Sequence, residues 1–291
     1  MSEGKLKTKM LEVIHRLGSR IRHSSYLRGQ TWLWESVEPW WQGAFHRALK
    51  NRGFATHVNG DVFLLDYALG ARYDREDHRS YEPVFYNSFV QRVRPDMKIA
   101  DIGAHFGFFT LGAALRVGDQ GRVYAFEPSP ETAGTLERNV LFNRWQDRIE
   151  IVRSVVSNTD GLVSFYTYGT SMAASLSREN VERLNPERPP AAAETKVPSV
   201  TLDQFCRTRK ITLDLVKIDV EGAELLVLRG AREMLREDRP LVLCEIHPLQ
   251  MQQCGCSQAE LISFLSEVGY RVEPLDDPNP AGIFHGLLSP R

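Results

Sequence analysis

From Lys98 onward, short apolar strands alternate with amphipathic helices, and this alternation limits the fold more than any other feature of the 291-residue chain. Alternating strands and helices predict a mostly parallel sheet with helices on both faces, so the predicted fold class is α/β. The predicted strands are 98–103, 122–128, 149–157, 213–220, 240–247, 271–275 and 282–288. The predicted helices are 108–116, 130–143, 223–236 and 257–268.

Two regions of different character are expected. Residues 1–95 combine helical patterning with a hairpin, because Asn59-Gly60 lies between runs of alternating apolar residues. A cluster of tryptophans in the same region is either core or one wall of a substrate pocket. We predict that this region forms a helical and hairpin cap on a main domain, 96–291. An insertion near 162–205, with an extra strand at 162–168, interrupts that domain.

Overall charge and composition exclude some classes of partner. The formal net charge is −1, so no nucleic-acid partner is expected. The first thirty residues are locally basic and apolar at helical spacing. This helix either packs on its own domain or makes weak peripheral contact with an anionic membrane. No apolar run predicts a transmembrane segment, and the four cysteines lack disulfide spacing. We therefore expect a cytoplasmic protein, and a homodimer is compatible with the sequence.

The segment 98–112, "KIADIGAHFGFFTLG", predicts a ligand-binding turn after the first strand. Asp101, Gly103 and Gly107 lie at its carboxyl end, where open α/β sheets bind ligands, and Glu127 ends the second strand in a position suited to ribose hydroxyls. A dinucleotide would place its diphosphate beside the like charge of Asp101. S-adenosylmethionine has no phosphate, and a carboxylate favours its ammonium. The residues favour the methyl donor but leave open a dinucleotide, or a turn without ligand.

Further motifs carry a family resemblance. "DIGAHFG", "FEPSP", "CEIHP" and above all "KIDVEGAE" resemble the FkbM family of S-adenosylmethionine-dependent methyltransferases, over roughly residues 81–247. The resemblance implies the class I methyltransferase fold, Rossmann-like with a seven-stranded sheet, and methylation of hydroxyl groups on sugars or macrocyclic natural products. It also implies a set of cofactor contacts. These are Asp101, Gly103 and Gly107 at the methionine, Glu127 at the ribose, and Pro128, Ser129 and Ser154 near the adenine.

Acidic side chains and a histidine end two later strands. Asp219 and Glu221 follow the fourth predicted strand, and Glu245 and His247 end the fifth. If these strands are neighbours, the four side chains flank the transferred methyl group. A hydroxyl acceptor needs a general base or a metal ion that lowers its pKa. His247 is the natural catalytic base, with Asp219 orienting it or binding the hydroxyl. Alternatively, all four residues hold Mg²⁺ or another divalent cation.

Four nearby residues receive less specific interpretations. An alternative role for Glu221 is to cap the following helix. Glu224 is expected to pair with an arginine further along that helix, and Lys217 is interpreted as structural. Glu82, in "SYEP", is read as an acid at a helix start that either reaches the site or stabilises the helix.

The predicted function is methyl transfer from S-adenosylmethionine to a hydroxyl of a sugar or natural-product acceptor. One alternative is a dinucleotide-dependent oxidoreductase. Another is a binding module that keeps the fold without catalysis, in which loss of Asp219 or His247 would leave function intact.

Overall fold

The computed structural model describes residues 53–67, 69–70, 81–167, 175–184 and 192–291. The basic N-terminal stretch, the tryptophan cluster and part of the predicted insertion lie outside the described residues. The chain divides into two compact units. One comprises Met1–Tyr81 and Arg138–Arg144, and the other Glu82–Glu137 and Trp145–Arg291. The division predicted at residue 95, and the role of the N-terminal region as a cap, stay predictions.

The smaller unit contains the predicted hairpin. Strands β1 (Phe54–Val58) and β2 (Asp61–Leu65) pair antiparallel. Asn59 and Gly60 both have positive φ angles, 47° and 93°, as the tight turn between twisted strands requires. The side-chain amide of Asn143 accepts a hydrogen bond from the Leu64 N–H and donates one to its carbonyl, so it continues the edge of this hairpin.

The larger unit is built on a seven-stranded sheet. In spatial order its strands are β11 (Tyr270–Pro274), β12 (Phe284–Pro290), β10 (Leu241–Ile246), β9 (Leu215–Ile218), β3 (Lys98–Ile102), β4 (Arg122–Phe126) and β5 (Ile149–Val152). All neighbours from β10 to β5 pair parallel, and β12 alone runs antiparallel to both of its neighbours. The predicted seven-stranded, mostly parallel α/β sheet is confirmed.

Nine helices are described. They are α1 (Pro83–Val90), α2 (Phe108–Val117), α3 (Pro130–Asn143), α4 (Arg178–Leu184), α5 (Leu202–Arg209), α6 (Glu224–Arg229), α7 (Arg232–Glu237), α8 (Pro248–Gln253) and α9 (Gln258–Glu267). Apolar residues of α5, α6 and α9 share one buried core with β3, β4, β9 and β10. Among these helices, none is both long and apolar enough to cross a membrane.

A second, three-stranded sheet interrupts the alternation where the insertion was predicted. Its order is β6 (Val155–Val156), β8 (Ala193–Val200) and β7 (Gly161–Thr167). The single strand predicted at 149–157 is therefore wrong, since β5 stays in the main sheet and β6 pairs with β8. Strand β7 confirms the extra strand predicted at 162–168.

The single helix predicted at 223–236 is also wrong, because the chain forms α6 and α7 with a break at Gly230. A Cβ at Gly230 would lie 2.0 Å from the carbonyl oxygen of Ser157, so the chain passes there without a side chain. The Asp203 carboxylate then accepts hydrogen bonds from the N–H groups of Glu233 and Met234. These contacts satisfy the exposed donors of a new helix start.

Candidate active site

The candidate site lies where the strand order reverses, between β3 and β9. From β3 the chain proceeds outward through β4 and β5, and from β9 outward through β10, so the carboxyl ends of β3 and β9 border the crevice typical of ligand sites in such sheets. Gly103 follows β3 with a φ angle of 76°, and a Cβ there would lie 1.8 Å from the Asp219 carbonyl oxygen. Only glycine permits this approach of the two strand ends.

Asp101 of β3 and Lys217 of β9 are register partners and form a buried ion pair. The Lys217 Nζ lies 3.4 Å from Asp101 and 3.3 Å from Asp219, and donates to the Gly103 carbonyl. Thr110 donates a hydrogen bond to the other Asp101 oxygen. Burial alone would lower the pKa of Lys217, but Asp219 and Asp101 raise it above its usual value. Lys217 therefore offsets part of the Asp101 charge that was expected to repel a diphosphate, although it shares its own charge with Asp219.

Glu127 lies just beyond β4 and organises the turn beside Gly103. One carboxylate oxygen accepts a hydrogen bond from the His105 N–H at 3.0 Å, and the other from the Ser129 N–H at 2.9 Å. Burial raises the pKa of Glu127 to about 7. The N–H groups of Glu127 and Ser154 both donate to the Val152 carbonyl, so the two residues are neighbours at the sheet edge.

These residues fit S-adenosylmethionine. The buried Glu127 carboxylate keeps acceptor capacity beyond its two backbone contacts, which suits ribose hydroxyls. Gly107, with a φ angle of 93°, is the N-cap of α2. Pro128 and Ser129 directly follow Glu127, and Ser129 donates its backbone N–H to the Glu127 carboxylate. The individual cofactor contacts remain proposals.

The predicted acid and histidine cluster forms at the ends of β9 and β10, which are adjacent parallel strands. One oxygen or nitrogen from each of Asp219, Glu245 and His247 lies within 4.8 Å of the others. The His247 Nε2 is 3.6 Å from Glu221 and 3.8 Å from Glu245. The four predicted residues therefore lie in one cluster. Glu221 contacts His247, but it is not part of the set whose ligand atoms all lie within 4.8 Å of one another.

Glu224 is a member of the site that the sequence interpretation missed. It is fully buried, accepts a hydrogen bond from the Gly222 N–H, and lies 2.7 Å from the His247 Nδ1. The expected pairing with an arginine of its own helix is wrong, because Arg229 instead contacts Glu260. The sequence signal that could have identified Glu224 was an acidic residue among the apolar positions of "AELLVL". Ala223 rather than Glu221 is the N-cap of α6, and its side chain makes no capping hydrogen bond.

The electrostatics of the cluster favour bound positive charge. Burial alone would lower the pKa of His247, but the hydrogen bond to Glu224 and the nearby carboxylates raise it to about 10. Burial, followed by the charge of Asp219, raises the pKa of Glu245 to about 9. Burial also raises the pKa of Glu221 to about 7. Burial opposes ionisation of Asp219, but Lys217 outweighs it and lowers the pKa.

A second group of side chains adjoins the cluster and was only partly foreseen. His285 of β12 is the register partner of Glu245, and one ligand atom each from Glu82, Glu245 and His285 lies within 4.8 Å of the others. Glu82 immediately precedes α1, so its helix-start position is confirmed. His285 carried no sequence signal, because the antiparallel insertion of β12 beside β10 determines its place.

Comparison with known proteins supports the resemblance. Residues 101–272, more than half of the chain, match the family model described as the Methyltransferase FkbM domain. The predicted resemblance is confirmed, and with it the methyl-donor interpretation rather than the dinucleotide one.

The named relatives are only 26–27% identical to this chain over the matched residues. "2-O-methyltransferase NoeI" of Sinorhizobium fredii is 27% identical over 158 residues, which are 50% of this chain and 62% of that protein. "Methyltransferase sdnD" of Sordaria araneosa is 27% identical over 46% of this chain and 60% of that protein. "AMB antimetabolite synthetase AmbE" of Pseudomonas aeruginosa is 26% identical over 57% of this chain but 9% of that protein. The matches thus span about three fifths of the first two relatives and a small part of the third.

Proposed function

Because the chain belongs to the FkbM methyltransferase family, we propose that it transfers a methyl group from S-adenosylmethionine to a hydroxyl oxygen of a sugar or natural-product acceptor. Family membership makes it an S-adenosylmethionine-dependent methyltransferase. The choice of a hydroxyl acceptor rests chiefly on the buried pair of Glu224 and His247, because this pair can serve as a general base. The Nε2 of His247 lies near the carboxylates of Glu221 and Glu245. The name of NoeI, a 2-O-methyltransferase, agrees with it.

The cofactor half of the site is assigned to the turns after β3 and β4. Glu127 would accept hydrogen bonds from the ribose hydroxyls, while the turn from Gly103 to Gly107 would border the methionine. Asp101, held by Lys217, would anchor that turn, and Pro128, Ser129 and Ser154 would border the adenine. When bound, S-adenosylmethionine supplies an electrophilic methyl group on a sulfonium. Much of the catalysis is then alignment of the acceptor oxygen with that methyl group.

The acceptor half is assigned to Asp219, Glu245 and His247. As the acceptor oxygen forms its bond to carbon and the carbon–sulfur bond breaks, the hydroxyl proton passes to His247 Nε2. The active form is therefore the one whose Nε2 is unprotonated, which the raised pKa of His247 makes a minor form at neutral pH and which becomes more populated as the pH rises. Glu224 holds Nδ1 and stabilises the imidazolium that results. Asp219 and Glu245 would orient the hydroxyl.

The same side chains also fit a divalent cation, which Asp219, Glu221, Glu245 and His247 would hold. The donor set of carboxylates and one imidazole suits a hard or borderline ion. When bound, such an ion would lower the pKa of the acceptor hydroxyl.

The proposal is tested by incubating the protein with S-adenosylmethionine and panels of hydroxyl, amine and carboxyl acceptors. We expect S-adenosylhomocysteine to form together with an O-methylated product identified by mass spectrometry. The assay is repeated after EDTA treatment and after Mg²⁺ or Mn²⁺ is restored. Activity lost and restored in this way assigns the hydroxyl activation to a cation, and unchanged activity assigns it to His247 alone. Turnover with amine acceptors only would refute the proposal.

We predict that S-adenosylhomocysteine binds more weakly as the pH falls through 7. The pKa of Glu127 is about 7, so its carboxylate is ionised above that pH and protonated below it. The ionised form accepts the stronger hydrogen bonds from ribose hydroxyls. If binding requires this form, Kd at pH 6 should be about tenfold higher than at pH 8. Isothermal titration across this range measures the effect.

The matched variant is Glu127→Gln, which cannot ionise. It should bind S-adenosylhomocysteine weakly and with no pH dependence between 6 and 8. An equal pH dependence in the wild type and in this variant would assign the titration to another group.

A further inference from the structure

We infer that Glu82, Glu245 and His285 form a second binding site for a divalent transition-metal ion, and that this site shares Glu245 with the Asp219–Glu245–His247 cluster. One ligand atom from each of the three residues lies within 4.8 Å of the other two. The inference concerns metal binding alone, so it can be tested without an acceptor and does not depend on the proposed reaction.

The strongest support comes from the two nitrogens of His285. Its Nε2 is buried, makes no hydrogen bond with any described residue, and lies 3.7 Å from a Glu245 oxygen. Its Nδ1 lies 2.5 Å from Asp276, whose other oxygen accepts a hydrogen bond from the His285 N–H. A histidine that binds a metal through one ring nitrogen usually donates a hydrogen bond from the N–H of the other to a carboxylate, as this arrangement allows. The His285 Nε2, which has no hydrogen bond with the described residues, therefore indicates that a ligand binds near Glu245.

The ring is also fixed in orientation by its surroundings. Phe85, fully buried in α1, stacks on the His285 ring with centroids 4.3 Å apart and an interplanar angle of 22°. Glu82 immediately precedes the same helix, so α1 positions both the ring contact and one of the carboxylates. Pairing of β12 with β10 holds His285 opposite Glu245. The three ligands thus come from three elements whose positions the fold determines.

The neighbouring cluster repeats this arrangement on the other side of Glu245. There Glu224 holds the Nδ1 of His247, and the Nε2 lies 3.8 Å from the same Glu245 oxygen that faces His285. Two histidines, each oriented by its own carboxylate, therefore converge on one carboxylate. A bridging role for Glu245 between two ion positions follows from this symmetry.

The donor set indicates which ions to test. Mg²⁺ and Ca²⁺ are usually held by oxygen ligands alone, whereas imidazole together with carboxylates suits Mn²⁺, Zn²⁺ and their neighbours. The His285 site should therefore prefer Mn²⁺ or Zn²⁺ to Mg²⁺. Protons compete with a metal ion for its ligand atoms, so the measurement belongs at mildly alkaline pH.

The test titrates the full chain, stripped with EDTA, with Mn²⁺ at pH 8, and measures free Mn²⁺ by electron paramagnetic resonance. We expect His285→Ala to bind one ion fewer than the wild type. Asp276→Asn keeps every ligand but removes the carboxylate that orients the ring. It should lower the affinity for that ion by about 10- to 100-fold. His57→Ala removes an exposed histidine of β1 as a matched control and should bind as many ions as the wild type.

Circular dichroism and thermal unfolding verify that each variant is folded, and His285→Gln replaces His285→Ala if the latter is not. Equal Mn²⁺ stoichiometry and affinity in the wild type, the His285 variant and Asp276→Asn would overturn the inference, as would a wild type that binds no Mn²⁺. An ion that depends on His285 but survives His247→Ala supports the second site even if no hydroxyl acceptor is ever methylated.

Discussion

Glu224→Gln is expected to lower kcat by about 10²- to 10⁴-fold, the range typical of losing general acid–base assistance. The fully buried Glu224 carboxylate lies 2.7 Å from the His247 Nδ1. It therefore stabilises the imidazolium, and in the neutral ring it keeps the proton on Nδ1 so that Nε2 is free. Glutamine has nearly the same shape but no charge, so the ring loses both effects. Steady-state kinetics should show the loss in kcat, with binding of S-adenosylhomocysteine unchanged by isothermal titration.

Two comparisons separate this role from a purely structural one. Glu237→Gln, at an exposed position of α7, is the matched control and should retain wild-type kcat. The double variant Glu224→Gln/His247→Ala should be no slower than His247→Ala alone, because Glu224 acts only through the ring. If the two losses instead multiply, Glu224 contributes independently of His247 and the proposed pair is wrong.

The main sheet could be predicted from the sequence because its signals are local. Apolar strands and amphipathic helices alternate, and each pattern is visible within a short window. The two breaks in that pattern were missed for the opposite reason. The split before β6 depends on pairing with β8, and the break at Gly230 on Ser157 and Asp203, which lie far away along the chain.

The candidate site likewise has a part that could be predicted from the sequence and a part that could not. Asp219, Glu245 and His247 could be expected to converge, because the carboxyl ends of adjacent parallel strands meet at one edge. The partner of His247 could not be identified, since Glu224 was expected to pair with an arginine further along its own helix. His285 could not be placed either, because the register of an antiparallel strand inserted into a parallel sheet leaves no trace in its own sequence.

Substitution of Lys217, which was interpreted from the sequence as structural, is expected to have the largest effect on stability. In Lys217→Met, Asp101 would lose its only cation among the described residues while remaining fully buried. Breaking a buried ion pair on one side typically costs about 3–5 kcal/mol. We therefore expect the free energy of unfolding in urea to fall by roughly this amount. Cofactor affinity should fall with it, because Lys217 also donates to the Gly103 carbonyl in the turn assigned to the methionine.

A double variant distinguishes loss of the pair from loss of packing. Lys217→Met/Asp101→Asn removes both charges and should recover much of the stability lost in Lys217→Met, since no uncompensated carboxylate remains at Asp101. The matched control is Lys196→Met, an exposed strand lysine, which should change stability by less than about 0.5 kcal/mol. If neutralising Asp101 recovers nothing, the cost arises from packing, or from the carboxylate of Asp219, which Lys217 also contacts. Adding Asp219→Asn then separates the two, because only the electrostatic explanation predicts recovery.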